Sequence, residues 1–319
     1  MTPSFNSLQF GPHLDIAARS AAGFGLDARG ENQDNFLLID ITGQATFLHD
    51  QAPRQAKVDN WTSGHARIAV LDGMGGHGHG REAAEAVVAG LLELAPCDSL
   101  DTLSARLDVL HLRLQQQFEG ASAGGKRPGT TLTMLELRPG SPALLYHVGD
   151  SRLYRIKDGG VTPLTVDHVP ATAYAMEGVL DEDEWWRQVH GEDRSQISQA
   201  FILGNAFDNP AELSDPLCPL SARNLPQYLG HLPDRRALEL ENGAVYVLAT
   251  DGFWACERPP EWLARWPRLF GKGYSAAAMC DHLFDEMKER PPRQVHPDNI
   301  TAIVIRPGSL DETALPVEH

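Results

Sequence analysis

The segment "RIAVLDGMGGHGHGREAAEAVV", residues 67–88, decides the fold because it joins an apolar run, a glycine-rich turn and a helix. Its apolar, β-branched start predicts a buried strand, and its end carries apolar residues at helical spacing. Between them, Gly73, Gly75 and Gly78 show the G-x-G-x-x-G spacing of a dinucleotide-binding loop. The loop therefore either holds a pyrophosphate or uses Asp72 and its glycines for other chemistry.

The residues after this helix argue against dinucleotide binding. Such a unit needs a second parallel strand after the helix, ending in an acidic residue that binds ribose. Here the helix runs into "APCDSLDTLSARL", residues 95–107, which predicts a loop and a second helix. The charge of Asp72 would also face an incoming pyrophosphate. Dinucleotide binding is therefore the weaker interpretation.

Two histidines in the loop, His77 and His79, raise the alternative of a zinc site. Zinc sites usually assemble three or four nitrogen and sulfur ligands. No cysteine lies nearby in the sequence, and the motif HExxH is absent. Polar histidines in a glycine turn are the favoured interpretation.

Composition excludes several classes of protein. The chain has 319 residues, 42% of them hydrophobic, which is enough for a sizeable core. A formal charge of −16 argues against nucleic acid and anionic membranes as partners. No apolar run approaches the ~18 residues of a membrane span, and the first residues lack the order of a signal peptide. Because the four cysteines are scattered without a CxxC pair, we expect reduced thiols in a cytoplasmic protein.

The rest of the chain predicts an α+β domain. Consecutive hairpins in "ELRPGSPALLY" and "RIKDGGVTPL" indicate antiparallel sheet, and the helices fall between runs of strands. We expect flexible tails at 1–12 and 307–319 around a domain at 13–306, with an irregular acidic segment near 171–205 that forms either a mobile flap or a surface excursion. The predicted strands lie within 35–40, 66–72, 130–137, 143–150, 151–165, 244–252 and 299–306, and the predicted helices within 81–95, 103–120 and 274–289.

Aspartates recur at the ends of the predicted strands. For a single aspartate, a turn in which the carboxylate bonds nearby backbone amides is the simpler explanation. Antiparallel neighbours, however, bring the end of one strand beside the start of the next, so Asp251 could meet Asp298 and Asp72 could meet Asp34. The full set is Asp34, Asp72, Asp150, Asp251 and Asp298.

Clustered carboxylates repel one another and raise one another's pKa unless cations neutralise them. Mg²⁺ and Mn²⁺ are hard ions that favour carboxylate, carbonyl and water oxygens. Two such ions ~3.5–4 Å apart can hold a bridging hydroxide and clamp a phosphoryl group for in-line attack. Glycine beside Asp72 lets a backbone carbonyl approach, so Asp72 and Gly73 are predicted metal-site residues.

Arg29 lies five positions before Asp34, in "RGENQDN". A guanidinium beside a pair of metal ions can bind two phosphate oxygens at once. Taken alone, Arg29 could equally be a surface arginine.

The ordered set of motifs resembles the metal-dependent protein phosphatases of type 2C, particularly their bacterial branch. The matching stretches run from Arg29 to Arg306, nearly the whole chain. They are "RGENQDN", "VLDGMGGHGHG", "GTTLTM", "HVGDSRLYRI", "LTVDH", "ILGN", "LATDGFW" and "PDNITAIVI".

This resemblance implies a fold and a set of roles. The fold is a four-layer αββα sandwich, two packed central antiparallel β-sheets flanked by helices. Asp72, Asp251 and Asp298 match the ligands of two Mn²⁺ or Mg²⁺ ions, together with the carbonyl of Gly73. Asp34 matches a carboxylate that reaches the second ion largely through water. Two further matches complete the set: Asp150 with a weaker third metal site, and Arg29 with the phosphate-binding arginine.

Two positions depart from the family pattern. Gln33 stands where many members carry glutamate beside the metal-binding aspartate, which removes one charge near the metals. Met74 stands where eukaryotic members carry a histidine proposed as general acid, and many bacterial members also have methionine there. The donor of a proton to the leaving group therefore stays unassigned.

The predicted activity is hydrolysis of phosphoserine or phosphothreonine in proteins by the metal-bridged hydroxide, with Arg29 and Asp72 in the catalytic site and no phosphoenzyme. Its partners would be phosphorylated proteins of a signalling system, such as a Ser/Thr kinase or its target. One alternative is an inactive member that binds phosphoproteins or a kinase. Another is a hydrolase of small phosphoesters. Turnover of p-nitrophenyl phosphate with Mn²⁺, compared with turnover of phosphoproteins, separates the three.

Overall fold

The computed structural model describes residues 7–24, 28–75, 79–119, 127–191, 196–207, 213–271 and 273–308. The helices are α1 (Gly80–Glu93), α2 (Leu100–Phe118), α3 (Pro170–Met176), α4 (Glu182–Trp186), α5 (Pro259–Leu263) and α6 (Ala276–Glu289). The strands are β1 (Leu14–Ala21), β2 (Asn35–Ile39), β3 (Gln44–His49), β4 (Ala52–Lys57), β5 (Ala66–Leu71), β6 (Gly73–Met74), β7 (Gly129–Thr130), β8 (Leu132–Arg138), β9 (Ser141–Val148), β10 (Arg152–Lys157), β11 (Gly160–Pro163), β12 (Gln199–Ala200), β13 (Gly204–Asn205), β14 (Arg235–Leu238), β15 (Val245–Ala249) and β16 (Ile300–Pro307).

Two large antiparallel sheets form the centre of the molecule. The larger sheet has the strand order β14-β9-β8-β5-β2-β3-β4, and the smaller has the order β1-β16-β15-β10-β11. Strand β5, which precedes the glycine loop, pairs antiparallel with both of its neighbours, β2 and β8. This pairing excludes the parallel dinucleotide-binding unit and confirms the predicted α+β sandwich.

Alternate side chains along a central strand pack against different layers of the structure. In β5, Ile68 and Val70 pack between the two sheets, whereas Ala69 and Leu71 face helices α1 and α2. Because both faces of β5 are covered, the strand reads as an almost continuous apolar run.

The smaller sheet repeats this arrangement on the other side. In β15, Tyr246 and Leu248 join the core between the sheets, while Val247 and Ala249 pack in a second core with residues of α5 and α6. The order of the layers is therefore helix, sheet, sheet, helix.

Several of the strands that the sequence did not predict lie at or next to the edges of the two large sheets. β1, β4 and β14 are edge strands, and β3 is paired with β4. Every residue of β1 is half-buried, and β4 carries Pro53 and mostly exposed side chains. Edge strands are short, charged or proline-bearing, which weakens the alternation that identifies a strand.

The β3–β4 turn also lacks the usual turn residues. Asp50 and Gln51 both adopt positive φ angles, 50° and 61°, which is the backbone of a two-residue type I′ turn. Asp50 donates its backbone amide to Glu85 of α1, and Gln51 accepts from the amide of Asn32. Side-chain contacts with neighbouring segments therefore stabilise a turn that glycine would otherwise favour.

The acidic segment 171–205, predicted as irregular, contains ordered helices among its described residues. Helix α4 begins with a capping box in which Asp181 and Glu184 bond each other's backbone amides. Trp185 is 1% exposed and donates its indole N–H to Thr172. The segment therefore has a small apolar core of its own, which its many acidic residues hide from a composition-based prediction.

The chain ends were predicted as tails. Phe10, within the predicted N-terminal tail, is buried with side chains of the core between the sheets. Of the predicted C-terminal tail, the structure describes Pro307 and Gly308, and residues 309–319 lie outside it.

Two further sequence expectations concern membranes and thiols. Among the described residues, no helix combines the length and the apolarity that crossing a membrane requires. Among the described residues, no two cysteines form a disulfide bond, and three of the four are buried.

A buried ion pair fastens α1 to the larger sheet. Arg67 of β5 donates to Glu136 of β8 at 2.7 and 3.0 Å, and both side chains are fully buried. Its remaining N–H groups bond the carbonyls of Leu91, Leu94 and Ala95 at the end of α1. One cation therefore satisfies a buried carboxylate and the last carbonyls of a helix.

We expect Arg67→Met to lower the free energy of unfolding by about 3–5 kcal/mol, because it leaves Glu136 charged, buried and without its cation. Urea denaturation followed by circular dichroism measures this. The matched control is Arg113→Met, which removes an exposed ion pair with Glu93 and should cost less than about 1 kcal/mol. Equal effects of the two substitutions would contradict the prediction.

Candidate active site

A cavity of about 650 Å³ opens at one end of the sandwich, and the ends of strands from both sheets form its walls. Most of the residues singled out in the sequence line it together. They are Arg29, Asp72, Gly73, Asp150, Asp251 and Asp298.

Strand register explains why these aspartates meet. Asn35 of β2 lies opposite Leu71 of β5, so the residues just outside that pair, Asp34 and Asp72, share one edge of the larger sheet. In the smaller sheet, Ala249 of β15 lies opposite Ala302 of β16, which brings the following and preceding loops together. Asp251 and Asp298 belong to those loops. The two predicted pairings of aspartates are therefore confirmed.

A hydroxyl network joins the two sheets behind the carboxylates. Thr250 Oγ1, at the end of β15, donates to Asp34 Oδ2 at 2.8 Å and accepts from the backbone amide of Thr301 at 3.0 Å. Ser20 bonds the Thr301 hydroxyl at 2.7 Å and accepts from the Asn32 side chain at 2.8 Å. These contacts fix Asp34, which is 3% exposed, against the opposite sheet.

Asp72 and Asp150 are positioned by a second pair of hydroxyl groups. The amide of Asp72 donates to Thr131 Oγ1 at 2.8 Å, and the amide of Thr131 donates back to the Asp72 carbonyl at 2.9 Å. The Thr131 hydroxyl also bonds that of Ser151, next to Asp150, at 2.6 Å. The segment "GTTLTM" therefore contributes structure around the cavity.

Burial and mutual repulsion act on the carboxylates of the site. Burial raises the pKa of Asp34 to about 8, although hydrogen bonds from Thr250 and Thr301 lower it. Burial, followed by the charges of the neighbouring aspartates, raises the pKa of Asp72 well above its usual range, although part of its surface faces the cavity. The pKa of Asp150 is raised by burial and by the charges of Asp251 and Asp167. The cavity is therefore short of positive charge.

Arg29 reaches into this region from an exposed position. Its Nε donates to the carbonyl of Pro297 at 2.8 Å, and its Nη2 lies 3.2 Å from Asp298 Oδ2. It is the cation on the rim nearest to these carboxylates among the described lining residues.

Close backbone contacts require glycine at two of the site loops. A Cβ atom on Gly73 would overlap the carbonyl oxygens of Gly80 and Gln33, and one on Gly252 would overlap the carbonyl of Asn299. These glycines let the Asp72 and Asp251 loops pack directly against neighbouring backbone.

Asn299 is a positioning residue that the sequence analysis missed. Its side chain accepts from the amide of Gln33 at 2.8 Å and donates to the carbonyl of Glu31 at 2.9 Å. It therefore ties the start of β16 to the segment that carries Arg29 and Asp34. The adjacent Asp298–Asn299 step was a possible signal, because asparagine is a frequent backbone-bonding residue.

The carboxylates line the cavity, but they do not all approach a single position within it. Among the described residues, no group of three or more His, Cys, Asp or Glu side chains is arranged to hold a metal ion by itself. Of the histidines considered for zinc, His79 directly precedes α1, and His77, like Gly78 of the glycine spacing, lies outside the described residues.

Comparison with known proteins identifies the class. A family model described as protein phosphatase 2C matches residues 44–287, most of the chain. The chain therefore belongs to the protein phosphatase 2C family, which confirms the resemblance of its motifs.

A curated relative is the serine/threonine protein phosphatase PstP of Mycobacterium tuberculosis, 32% identical over 160 residues. This alignment covers 47% of the chain and 29% of PstP, so the chain spans less than a third of that relative's length. A putative protein phosphatase 2C-type protein of Streptococcus pyogenes is 33% identical over 133 residues, which cover 40% of the chain and 53% of that protein.

Solved structures support the fold. The crystal structure of M. tuberculosis PstP matches with a TM-score of 0.60 at 24% identity, over 93% of this chain and 99% of that one. A PstP catalytic domain described in complex with two manganese ions matches with a TM-score of 0.56 at 22% identity, over 92% and 98% of the two chains.

We expect Gly252→Ala to destabilise the protein by about 1–3 kcal/mol, because the new methyl group must displace the Asn299 carbonyl. Thermal unfolding measures the loss. Gly273→Ala is the matched control, since a Cβ at Gly273 meets open space, and it should leave stability unchanged or slightly higher. A neutral Gly252→Ala would show that the two loops are not in close contact.

Proposed function

We propose that this protein hydrolyses phosphoserine and phosphothreonine in phosphoproteins with the help of two Mn²⁺ or Mg²⁺ ions. The observation that carries the proposal is the convergence of aspartates from both sheets on one open cavity, with Arg29 at its rim. Membership of the protein phosphatase 2C family supports the same activity.

The donor set of the cavity fits hard cations. It consists of carboxylate and backbone oxygens, which Mg²⁺ and Mn²⁺ prefer. Cations would offset the burial and, after it, the mutual repulsion that raise the pKa of Asp34 and Asp72. We infer that the ligands are divided between two ions and completed by water. A PstP catalytic domain of similar fold is described in complex with two manganese ions.

We assign roles to the individual residues on this basis. Asp72, Asp251, Asp298 and the carbonyl of Gly73 would bind the two ions, and Asp34 would reach one of them largely through water. Asp150 would serve a weaker third site beside them.

Two bound cations would activate a water for in-line attack on phosphorus and neutralise charge on the phosphoryl group. Arg29 binds and orients two phosphoryl oxygens through its guanidinium. The Thr250 hydroxyl stabilises the ionised form of Asp34, and Asn299 holds the Arg29 and Asp298 segments together. In this proposal no side chain attacks phosphorus, so no phosphoenzyme forms. The hydroxyls of Thr131 and Ser151, which bond each other, position the Asp72 and Asp150 segments.

We propose that the protein acts in the cytoplasm, where it removes phosphate from phosphorylated proteins of a signalling system. Its partners would be phosphorylated proteins, such as a Ser/Thr kinase or the targets of that kinase.

We expect the purified protein to hydrolyse p-nitrophenyl phosphate and a phosphothreonine peptide in Mn²⁺, and EDTA to abolish both reactions. Asp251→Asn should lower kcat/KM by about 100-fold or more, because it removes a charged ligand from the metal pair. Asp59→Asn, at an exposed acidic residue, is the control and should retain activity.

Two results would contradict this proposal. Absence of turnover with either substrate would favour a protein that only binds phosphoproteins. Turnover of p-nitrophenyl phosphate without turnover of phosphopeptides or phosphoproteins would favour a hydrolase of small esters.

We expect Asp34→Asn to stabilise the metal-free protein by about 1–3 kcal/mol, because it removes a buried carboxylate whose ionisation is opposed by its surroundings. The same substitution should reduce the rise in Tm that Mn²⁺ produces, since binding to the folded state is what stabilises it. Scanning calorimetry with and without Mn²⁺ measures both effects, with Asp59→Asn again as the control. If Asp34→Asn were less stable than the wild-type protein in the absence of Mn²⁺, the unfavourable ionisation that we assign to Asp34 would be refuted.

A further inference from the structure

A second cavity, of about 280 Å³, continues from the catalytic cavity. Asp150 and Asp251 line both of them, so a chain segment with its phosphate in the first cavity lies next to the second. Consecutive Cα atoms are ~3.8 Å apart, which places residues flanking the phosphorylated one within reach.

Apolar and aromatic residues make up about half of the walls of this second cavity. They include Ala171 and Tyr174 of α3, Val189 of the turn after α4, and Trp254 and Ala255 after β15. Tyr174 remains 48% exposed, whereas Trp254 is 5% exposed. The cavity is therefore lined by one exposed and one buried aromatic ring.

The polar groups at the base of the cavity are already engaged. Arg152 donates to Asp167 at 2.7 and 3.0 Å and to the carbonyl of Val189 at 2.7 Å, and its guanidinium lies 4.7 Å from the ring centre of Trp254. These contacts hold the wall formed by residues 187–191 at a fixed distance from Trp254. Asp150 and Asp251 also line the first cavity, where we assign them to the metal ions, so the apolar residues are the part of the lining left for a substrate side chain.

We propose that this cavity binds an aromatic or large aliphatic side chain of the substrate, within two residues of the phosphorylated serine or threonine, and that Tyr174 and Ala171 determine this preference. The inference rests on the proposed phosphatase activity. The volume is slightly below the ~300–1,000 Å³ of pockets that bind a whole drug-sized ligand, which suits one side chain. The amides of Gln188 and Gln196 also line the cavity and suit the backbone of an extended peptide.

The test compares phosphothreonine peptides of glycine and alanine in which one flanking residue is phenylalanine, arginine or glycine, placed one or two positions before or after the phosphothreonine. For the wild-type protein in Mn²⁺, we expect kcat/KM for the best phenylalanine peptide to exceed that for its glycine counterpart by about tenfold.

Two substitutions should remove the preference in opposite ways. Tyr174→Ala opens the cavity, and Ala171→Leu fills it, so in both the ratio of phenylalanine to glycine peptides should fall to about one. Tyr274→Ala is the matched control, because Tyr274 is similarly exposed, at 46%, and packs on His282 of α6 away from this cavity. It should keep the wild-type ratio. The thermal unfolding of each variant shows whether it is folded.

Three outcomes would overturn the inference. These are equal rates for all wild-type peptides, a preference for arginine, and a phenylalanine preference that survives both substitutions. A wild-type protein that hydrolyses none of the phosphopeptides would overturn the proposed function and this inference with it, and turnover of p-nitrophenyl phosphate distinguishes that case from an inactive preparation.

Discussion

The fold holds several carboxylates together at one end of two stacked sheets, against their mutual repulsion. Antiparallel register places Asp34 beside Asp72 and Asp251 beside Asp298, and the hydrogen bond from Thr250 to Asp34 joins the sheets at this point. Burial and, after it, the neighbouring charges raise the pKa of Asp34, which shows the cost of this arrangement. The apolar core between the sheets, built from the same strands, provides the offsetting stability. The site is therefore strained electrostatically on a scaffold that is otherwise well packed.

The central strands and long helices could be predicted from the sequence because burial on one or both faces leaves a clear pattern. Strands β2, β5, β15 and β16 and helices α1, α2 and α6 fall where the apolar runs indicated. The edge strands β1, β4 and β14 could not, since half-exposed positions accept polar residues and proline. The helices near Trp185 were hidden for a related reason: a small local core needs few apolar residues, and the acidic residues around it dominate the composition.

The sequence indicated the aspartates that line the cavity, but only some of the residues that hold them in position. A predicted strand that ends in aspartate and glycine can be recognised in the sequence. The antiparallel pairing of neighbouring strands then suggests which aspartates meet. The contacts of Asn299 with residues 31–33 join segments more than 260 positions apart, and one sequence carries no signal for such a pairing. The same holds for the second cavity, whose walls come from α3 and from the loop after β15.

Two of the tight hairpin turns, β3–β4 and β10–β11, differ as places to open or extend the chain. Asp158 and Gly159, between β10 and β11, have left-handed backbone angles that their residue types accept readily. The turn at Asp50 and Gln51 is instead stabilised by hydrogen bonds with Glu85, Arg81 and Asn32. Asn32 lies two residues before Asp34. An inserted peptide or a circular permutation at residue 159 therefore disturbs a surface loop alone, whereas the same operation at residue 50 propagates to the cavity that Asp72 lines.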